Sequence, residues 1–223
     1  MRLIIDRGTA ERTTILRGLV GSTVHGLNVK DGIEDRDEMG VCVEPIEAAL
    51  SLGAPFEQFI YRSAAERVGR HDARSMAGDL DLTIYSLRKW MRLALRGNPT
   101  ILLLLFTPDD HLVQCDELGR ELRSLAPSII SRRVQGPYLG YLQAQKQRLT
   151  GERGQKNIHR PELEQMYGFD TKYAMHMLRL GFQGVELLSC RAQADRRCLG
   201  TQASRQSGQF EPLPAQPVAQ SLA

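Results

Sequence analysis

The sequence lacks several features that would assign it to a specialised class of protein. Of its 223 residues, four are cysteine, one is tryptophan and 6% are aromatic. The cysteines are too far apart for the C-x-x-C spacing of zinc sites, and a disulfide framework is not expected either. They are Cys42, Cys115, Cys190 and Cys198. The composition instead predicts an ordinary globular chain with reduced thiols.

Long apolar runs are also missing. The longest unbroken run covers residues 101–106, far short of the roughly 18 residues that a membrane-spanning helix needs. The N-terminus reaches the charged residue Asp6 after three apolar residues, so it does not have the apolar stretch of a secretory leader. We therefore expect a cytoplasmic protein without a membrane partner.

Neither sign of charge is in large excess. The chain has 29 basic and 26 acidic residues, a net charge of +3. Residues 189–223 hold four arginines and two acidic residues, so this segment alone accounts for +2 of that charge. Its composition of Gln, Ser, Ala and Pro predicts a disordered tail. Any nucleic-acid site in residues 1–188 must therefore be a local patch rather than a general positive field.

The pattern of apolar residues predicts a change from mixed structure to helices along the chain. Short strands are expected at residues 15–20, in the later half of 35–43, at 57–60 and at 81–85. A helix is expected over residues 87–96, where apolar residues recur at helical spacing. Beyond Thr107 the strand signals fade, and helices are expected at residues 115–125, 137–149, 161–166 and 171–180.

Capping residues support the last of these helices. Asp170 suits its N-cap, and Gly181 suits the position that ends it. The expected fold class is therefore α/β (α+β), with a first domain over residues 1–107, a helical C-terminal region over 108–188 and a tail over 189–223.

Three aspartates and a glycine turn form the constellation with the clearest chemistry. Asp35 and Asp37 are two residues apart in a β-prone segment, so both side chains would point to the same face of a strand. Asp81 heads another β-prone segment and could supply a third carboxylate. Carboxylate oxygens are the ligands that Mg²⁺ prefers. Gly21 and Ser22 are small enough to let backbone N–H groups and a hydroxyl approach phosphate oxygens.

These residues resemble a known signature. Residues 21–27 followed by 35–41 resemble the G-S-x-x-x-G-L and D-x-D-x-x-G motifs of nucleotidyltransferases of the DNA polymerase beta superfamily. Four further blocks resemble the branch that includes the RNA repair pathway polymerase beta family of bacteria and phages. They cover residues 81–89, 97–100, 140–141 and 167–180. The resemblance extends over about residues 15–188.

The resemblance implies a fold, a reaction and a set of site residues. The fold would be a short mixed sheet followed by a helical C-terminal region, with residues 1–107 as the catalytic domain. The reaction would transfer a nucleoside monophosphate from an NTP to a hydroxyl, with release of pyrophosphate. Asp35 and Asp37 would bind two Mg²⁺ ions, Asp81 would complete the metal site, and Gly21 and Ser22 would hold the triphosphate.

The acceptor of that reaction stays open at the level of sequence. An RNA end is favoured by analogy with the RNA repair relatives. A protein side chain or a small-molecule hydroxyl is the alternative acceptor within the superfamily. A catalytically silent module that binds a nucleotide or RNA is a third interpretation, from another functional class.

Simpler interpretations compete with the functional one at several positions. Asp35 and Asp37, taken alone, would be solvated turn residues, and Asp79 competes with Asp81 for the third carboxylate. The basic residues of the 87–96 helix are more typical of a solvated face than of a nucleic-acid track. They are Arg88, Lys89, Arg92 and Arg96.

A second basic group lies on the last predicted helix. Lys172, His176 and Arg179 fall at i, i+4 and i+7, which places them on one helix face. They are either a solvated stripe or a cationic wall that binds the phosphates of a nucleotide or of RNA. We predict the second role and assign all three to nucleotide binding.

Overall fold

The structure is a computed structural model, and it describes residues 5–21, 36–70, 72–73, 75–76, 78–152 and 161–189. Several sequence-based predictions lie outside the described residues: those on Ser22 and Asp35, and that of a disordered tail from residue 190 onward. Ser189, where the predicted tail begins, is the last residue of the final described helix.

The described part of the chain forms one five-stranded mixed sheet in the order β3-β4-β2-β1-β5. The strands are β1 (Thr14–Leu19), β2 (Arg36–Cys42), β3 (Gln58–Arg62), β4 (Leu80–Ser86) and β5 (Leu112–Cys115). Strands β2 and β4 are parallel, and the other neighbours are antiparallel. The expected fold class, a short mixed sheet with helices, is confirmed.

Helices surround the sheet and continue after it. They are α1 (Arg7–Arg12), α2 (Ile46–Ala49), α3 (Ser63–Val68), α4 (Leu87–Leu95), α5 (Pro99–Leu102), α6 (Glu117–Ser124), α7 (Ala126–Ile129), α8 (Gln135–Leu149), α9 (Pro161–Tyr167) and α10 (Thr171–Ser189). The Ser86 hydroxyl accepts a hydrogen bond from the Lys89 N–H at 3.1 Å, so β4 runs directly into a capped α4. Among the described helices, none has the length and apolar character to cross a membrane.

The sheet separates two groups of buried side chains. On one face Met39 and Val41 of β2 pack with Trp90 of α4 and with residues of α5, α6, α8 and α10. On the other face Leu82 and Ile84 of β4 pack in a second, smaller core near α1. Because side chains alternate along a strand, Asp37 shares the face of Met39 and Val41, the one that the C-terminal helices cover.

Two sequence-based expectations are wrong. Strands do not end before Thr107, because β5 pairs with β1 and completes the sheet; its four residues are too few for a clear alternation. The last helix does not stop at Gly181 but continues to Ser189. A Cβ on Gly184 would lie 3.3 Å from the Tyr138 Cδ1, so the later glycine of α10 allows close packing against α8. Asp170, as expected, caps the start of α10, where its Oδ1 accepts from the Lys172 N–H at 2.9 Å.

Two helical glycines provide a matched test of the close approach of α6 to the sheet. A Cβ on Gly119 of α6 would collide with the backbone carbonyl oxygen of Ile15 in β1, whereas nothing lies within 4 Å of a Cβ on Gly140 of α8. We expect Gly119→Ala to lower the free energy of unfolding by about 1–3 kcal/mol, as overpacking does. Gly140→Ala should raise it by about 0.5–1 kcal/mol, because alanine is the better helix former. Denaturant unfolding of both variants measures this; equal effects would contradict the close approach of α6 to β1.

Candidate active site

Asp37 and Asp81 are direct neighbours across the parallel strands β2 and β4. In a parallel pair, residues in register point to the same face, and adjacent strands are about 4.8 Å apart. Two aspartates that are distant in the sequence therefore stand side by side at the start of their strands. The structure brings these two predicted residues together.

Gly21 lies against Asp37 at the end of β1. The Val20 N–H donates to the Asp37 carbonyl oxygen at 2.9 Å, which joins the end of β1 to the start of β2. Gly21 has a φ of +89°, and a Cβ at this position would lie 2.7 Å from the Asp37 Oδ2. A larger residue would be strained by the backbone and would also displace the carboxylate. The predicted glycine turn and the predicted carboxylate are thus in contact.

Arg62 is a site residue that the sequence did not reveal. It is in register with Asp81 on the antiparallel strand β3, and its Nε lies 3.3 Å from both Asp81 carboxylate oxygens. The Ser75 hydroxyl donates to the Asp81 Oδ2 at 2.9 Å and accepts from the Arg62 Nη2 at 2.9 Å. The guanidinium offsets the charge of adjacent carboxylates and orients Asp81. Only the pairing of β3 with β4 identifies it, since Arg62 belongs to no motif of the sequence.

Asp79, the rival of Asp81, has a different role. Its carboxylate accepts from the Ser63 Oγ at 2.9 Å, the Arg67 Nη2 at 2.6 Å and the Met76 N–H at 2.8 Å. The hydrogen bond from the Met76 backbone, followed by those from Arg67 and Ser63, holds the pKa of Asp79 below its ordinary value. Asp79 therefore links α3 to the segment before β4 through hydrogen bonds. Asp81 is thus the better candidate for a metal-binding carboxylate.

The donor atoms of this site suit a hard divalent cation. Two carboxylates side by side supply the oxygen ligands that Mg²⁺ prefers, and such sites often use only one or two protein carboxylates together with substrate phosphates. Within the described ranges, no group of three or more His, Cys, Asp or Glu side chains is close enough to hold a metal ion. Asp35, which the sequence also predicts to be a metal ligand, lies outside those ranges.

The predicted cationic residues of α10 lie on a helix and not on the sheet that carries Asp37 and Asp81. His176 and Arg179 line a cavity of about 160 Å³ between α5, α8 and α10. The other lining residues are Pro99, Thr100, Tyr141, Gln145, Leu180 and Gln183. Among the described residues the Arg179 Nε–H is buried without a hydrogen-bond partner, and burial lowers the pKa of Arg179. Lys172, in the first turn of α10, is exposed.

The basic residues of α4 are partly neutralised. The Lys89 Nζ and the Arg92 Nη2 form ion pairs with the Glu57 carboxylate at 2.7 Å and 2.9 Å. Trp90, on the opposite face of this helix, is fully buried in the core. These two basic residues therefore belong to an ion-paired surface, in agreement with the simpler interpretation of their sequence pattern.

A mixed sheet with paired carboxylates on parallel strands, a glycine turn beside them and helices after them is consistent with a nucleotidyltransferase fold of the polymerase beta type. Comparison with protein families agrees with this class. The model of the RNA repair pathway DNA polymerase beta family matches residues 6–195, and the chain belongs to that family. A search among curated proteins found no significant match. Membership makes the chain a polymerase beta-like nucleotidyltransferase associated with RNA repair.

The stabilities of two variants can distinguish the role of Asp79 from that of Asp81. Asp79→Asn should clearly destabilise the fold at neutral pH, because it removes the ion pair with Arg67. Asp81→Asn should have a smaller effect, because the loss of the Arg62 contact is offset by less repulsion from Asp37. Denaturant midpoints of both variants test this; a larger loss for Asp81→Asn would contradict the assignment.

The stability at low pH provides an independent check that Asp79 stabilises the fold through its charge. Its folded-state pKa is lowered, so its contribution to stability is present above the unfolded value of about 3.9 and is lost as the pH falls through the folded value. The difference between the wild type and Asp79→Asn should therefore shrink below about pH 4. A difference that persists undiminished in acid would show that Asp79 acts by packing alone.

Proposed function

We propose that the chain is a magnesium-dependent nucleotidyltransferase that moves a nucleoside monophosphate from an NTP to a hydroxyl, with an RNA end as the acceptor. The observation that supports this most is the register of Asp37 beside Asp81, with the Gly21 turn against Asp37. Family membership supports the reaction class and the association with RNA. The choice of acceptor is our inference from that association.

The reaction requires an attack on the α-phosphorus of the NTP. The acceptor hydroxyl oxygen forms the new P–O bond, the bond between the α-phosphorus and the bridging oxygen breaks, and pyrophosphate leaves while the hydroxyl loses its proton. Asp37 and Asp81, together with Asp35, would hold two Mg²⁺ ions. Bound there, these ions would lower the pKa of the attacking hydroxyl and offset the charge of the leaving pyrophosphate. Arg62 would fix the orientation of the Asp81 carboxylate.

The phosphates of the NTP need cationic and N–H donors besides the metals. Gly21 and Ser22 are small and would allow the phosphates to approach the backbone N–H groups closely. Lys172, His176 and Arg179 would supply positive charge, and the unpartnered Arg179 Nε–H supports this role because a buried donor gains most from an anion. The cavity of about 160 Å³ is below the roughly 300 Å³ of typical small-molecule pockets, so it suits phosphate groups rather than a whole nucleotide.

Asp37→Asn tests the catalytic role of the paired carboxylates. The substitution keeps the size of the side chain but removes a charge that hard cations require. We expect no measurable transfer of labelled nucleotide to RNA, even at saturating NTP and Mg²⁺. Near-normal turnover by this variant would rule out the proposed metal site.

The same assay identifies the acceptor. Wild-type protein, Mg²⁺, each labelled NTP in turn and a pool of RNAs are incubated together, and the destination of the label is determined. Label on RNA supports the proposal. Label on protein or a small molecule would overturn the choice of acceptor, and binding without transfer would overturn the enzymatic proposal.

Arg179→Gln tests the phosphate-binding cavity. A contact made in both the ground state and the transition state contributes to binding without changing turnover. We expect a KM for NTP raised about tenfold or more, which corresponds to the loss of at least about 1.4 kcal/mol, with kcat largely kept. Gln145→Ala, which changes a neutral residue of the same cavity, is the matched control. A fall in kcat with an unchanged KM would contradict the assignment.

A further inference from the structure

Two segments of the chain contain basic residues and no acidic ones. Residues 82–108 hold four basic side chains, residues 122–151 hold five, and neither segment contains an Asp or Glu. In the first segment Glu57, from outside it, pairs with both Lys89 and Arg92 and offsets one of their two charges. In the second, Arg123 pairs with Asp109 at 2.7 Å. The remaining positive charge is concentrated on the surfaces of these segments.

The fold brings three of the remaining arginines of these segments to one place. Gly97 packs on the backbone before α8 so closely that a Cβ on it would lie 2.6 Å from the Val134 Cα. Arg96 immediately precedes Gly97, and Arg132 and Arg133 immediately precede Val134. All three side chains are exposed. We call these three residues the arginine cluster.

The arginine cluster lacks the carboxylate partners that several other exposed arginines have. Within the described ranges none of the three side chains forms an ion pair or a hydrogen bond. Three exposed arginines with partners are Arg7 with Glu11, Arg70 with Asp72 and Arg92 with Glu57. Like charges held close together are unfavourable unless an anion offsets them. The cluster is thus a local positive patch in a chain of low net charge.

We infer that the arginine cluster binds the phosphate backbone of RNA. The guanidinium fork matches phosphate oxygens in two-point hydrogen bonds, and three unpaired forks on one patch suit a polyanion better than a single phosphate. Arg96 lies three residues before Pro99, which lines the cavity of His176 and Arg179. The patch therefore borders the cavity in which we place nucleotide phosphates. This inference rests on the proposed function in one respect, that RNA is the acceptor.

The salt dependence of RNA binding tests the cluster. Binding of a fluorescent single-stranded oligoribonucleotide is measured by anisotropy at several salt concentrations, in EDTA and without NTP. Each neutralised phosphate of a single strand contributes about 0.7 to the slope of log affinity against log salt. The triple variant R96Q/R132Q/R133Q should therefore have a slope smaller by about 2 than that of the wild type.

A matched control removes the same number of positive charges from ion-paired sites. The variant R7Q/R70Q/R92Q should keep the wild-type slope, and Arg92 is a close control because it lies on α4, four residues before Arg96. An unchanged slope in the cluster variant, an equal loss in the control, or no RNA binding by the wild type would each overturn the inference. If the triple variant does not fold, the three single variants decide, each with a slope smaller by about 0.7.

The outcome is separable from that of the proposed function. Binding in EDTA requires neither a metal nor NTP, so Asp37→Asn should bind RNA as the wild type does. Normal binding without nucleotide transfer would overturn the proposed reaction and leave the arginine cluster in place. If a cluster variant binds RNA as the wild type does and still transfers nucleotide to it, the arginine cluster is overturned and the proposed reaction is kept.

Discussion

The parallel pairing of β2 with β4 is the constraint on which the candidate site depends. Its register sets Asp37 beside Asp81 and continues through five further residue pairs to Cys42 and Ser86. A shift by one residue would turn one of the carboxylates to the opposite face of the sheet. The apolar residues that follow on the same strands, buried in two cores, oppose such a shift. The two hydrophobic cores thereby fix the relative positions of Asp37 and Asp81.

The neighbours of the two carboxylates make this arrangement tolerable. Adjacent negative charges repel, and Arg62 lies in register on β3, where it contacts both oxygens of Asp81. Gly21 leaves room for the Asp37 carboxylate at the other side. The site is therefore a row across the sheet, in which β3 supplies a cation, β4 and β2 supply carboxylates, and the end of β1 supplies space. Each member comes from a different strand, so the intact sheet is required to assemble it.

Sequence patterns predict the elements of this row better than their arrangement. Alternation and turn residues locate β1, β2, β4 and α4, and the order of motifs gives the family. They do not give the register of β2 against β4 or the presence of Arg62 at the site, because both depend on contacts between distant segments. Strand β5 is too short to show a period, and Gly181 resembles a helix end because local propensity contains no information about packing against α8.

Separation of charge by element explains how one small chain can serve two opposite electrostatic needs. A cation site needs carboxylates, whereas phosphates need guanidinium groups, and the two would neutralise each other if they were interspersed. The sheet carries the paired carboxylates, and the arginine cluster lies on the acid-free segments around α4 and α8. The net charge of +3 conceals this division. The arginines of the described strands are exceptions, and each forms an ion pair: Arg17 and Arg36 with Glu38, and Arg62 with Asp81.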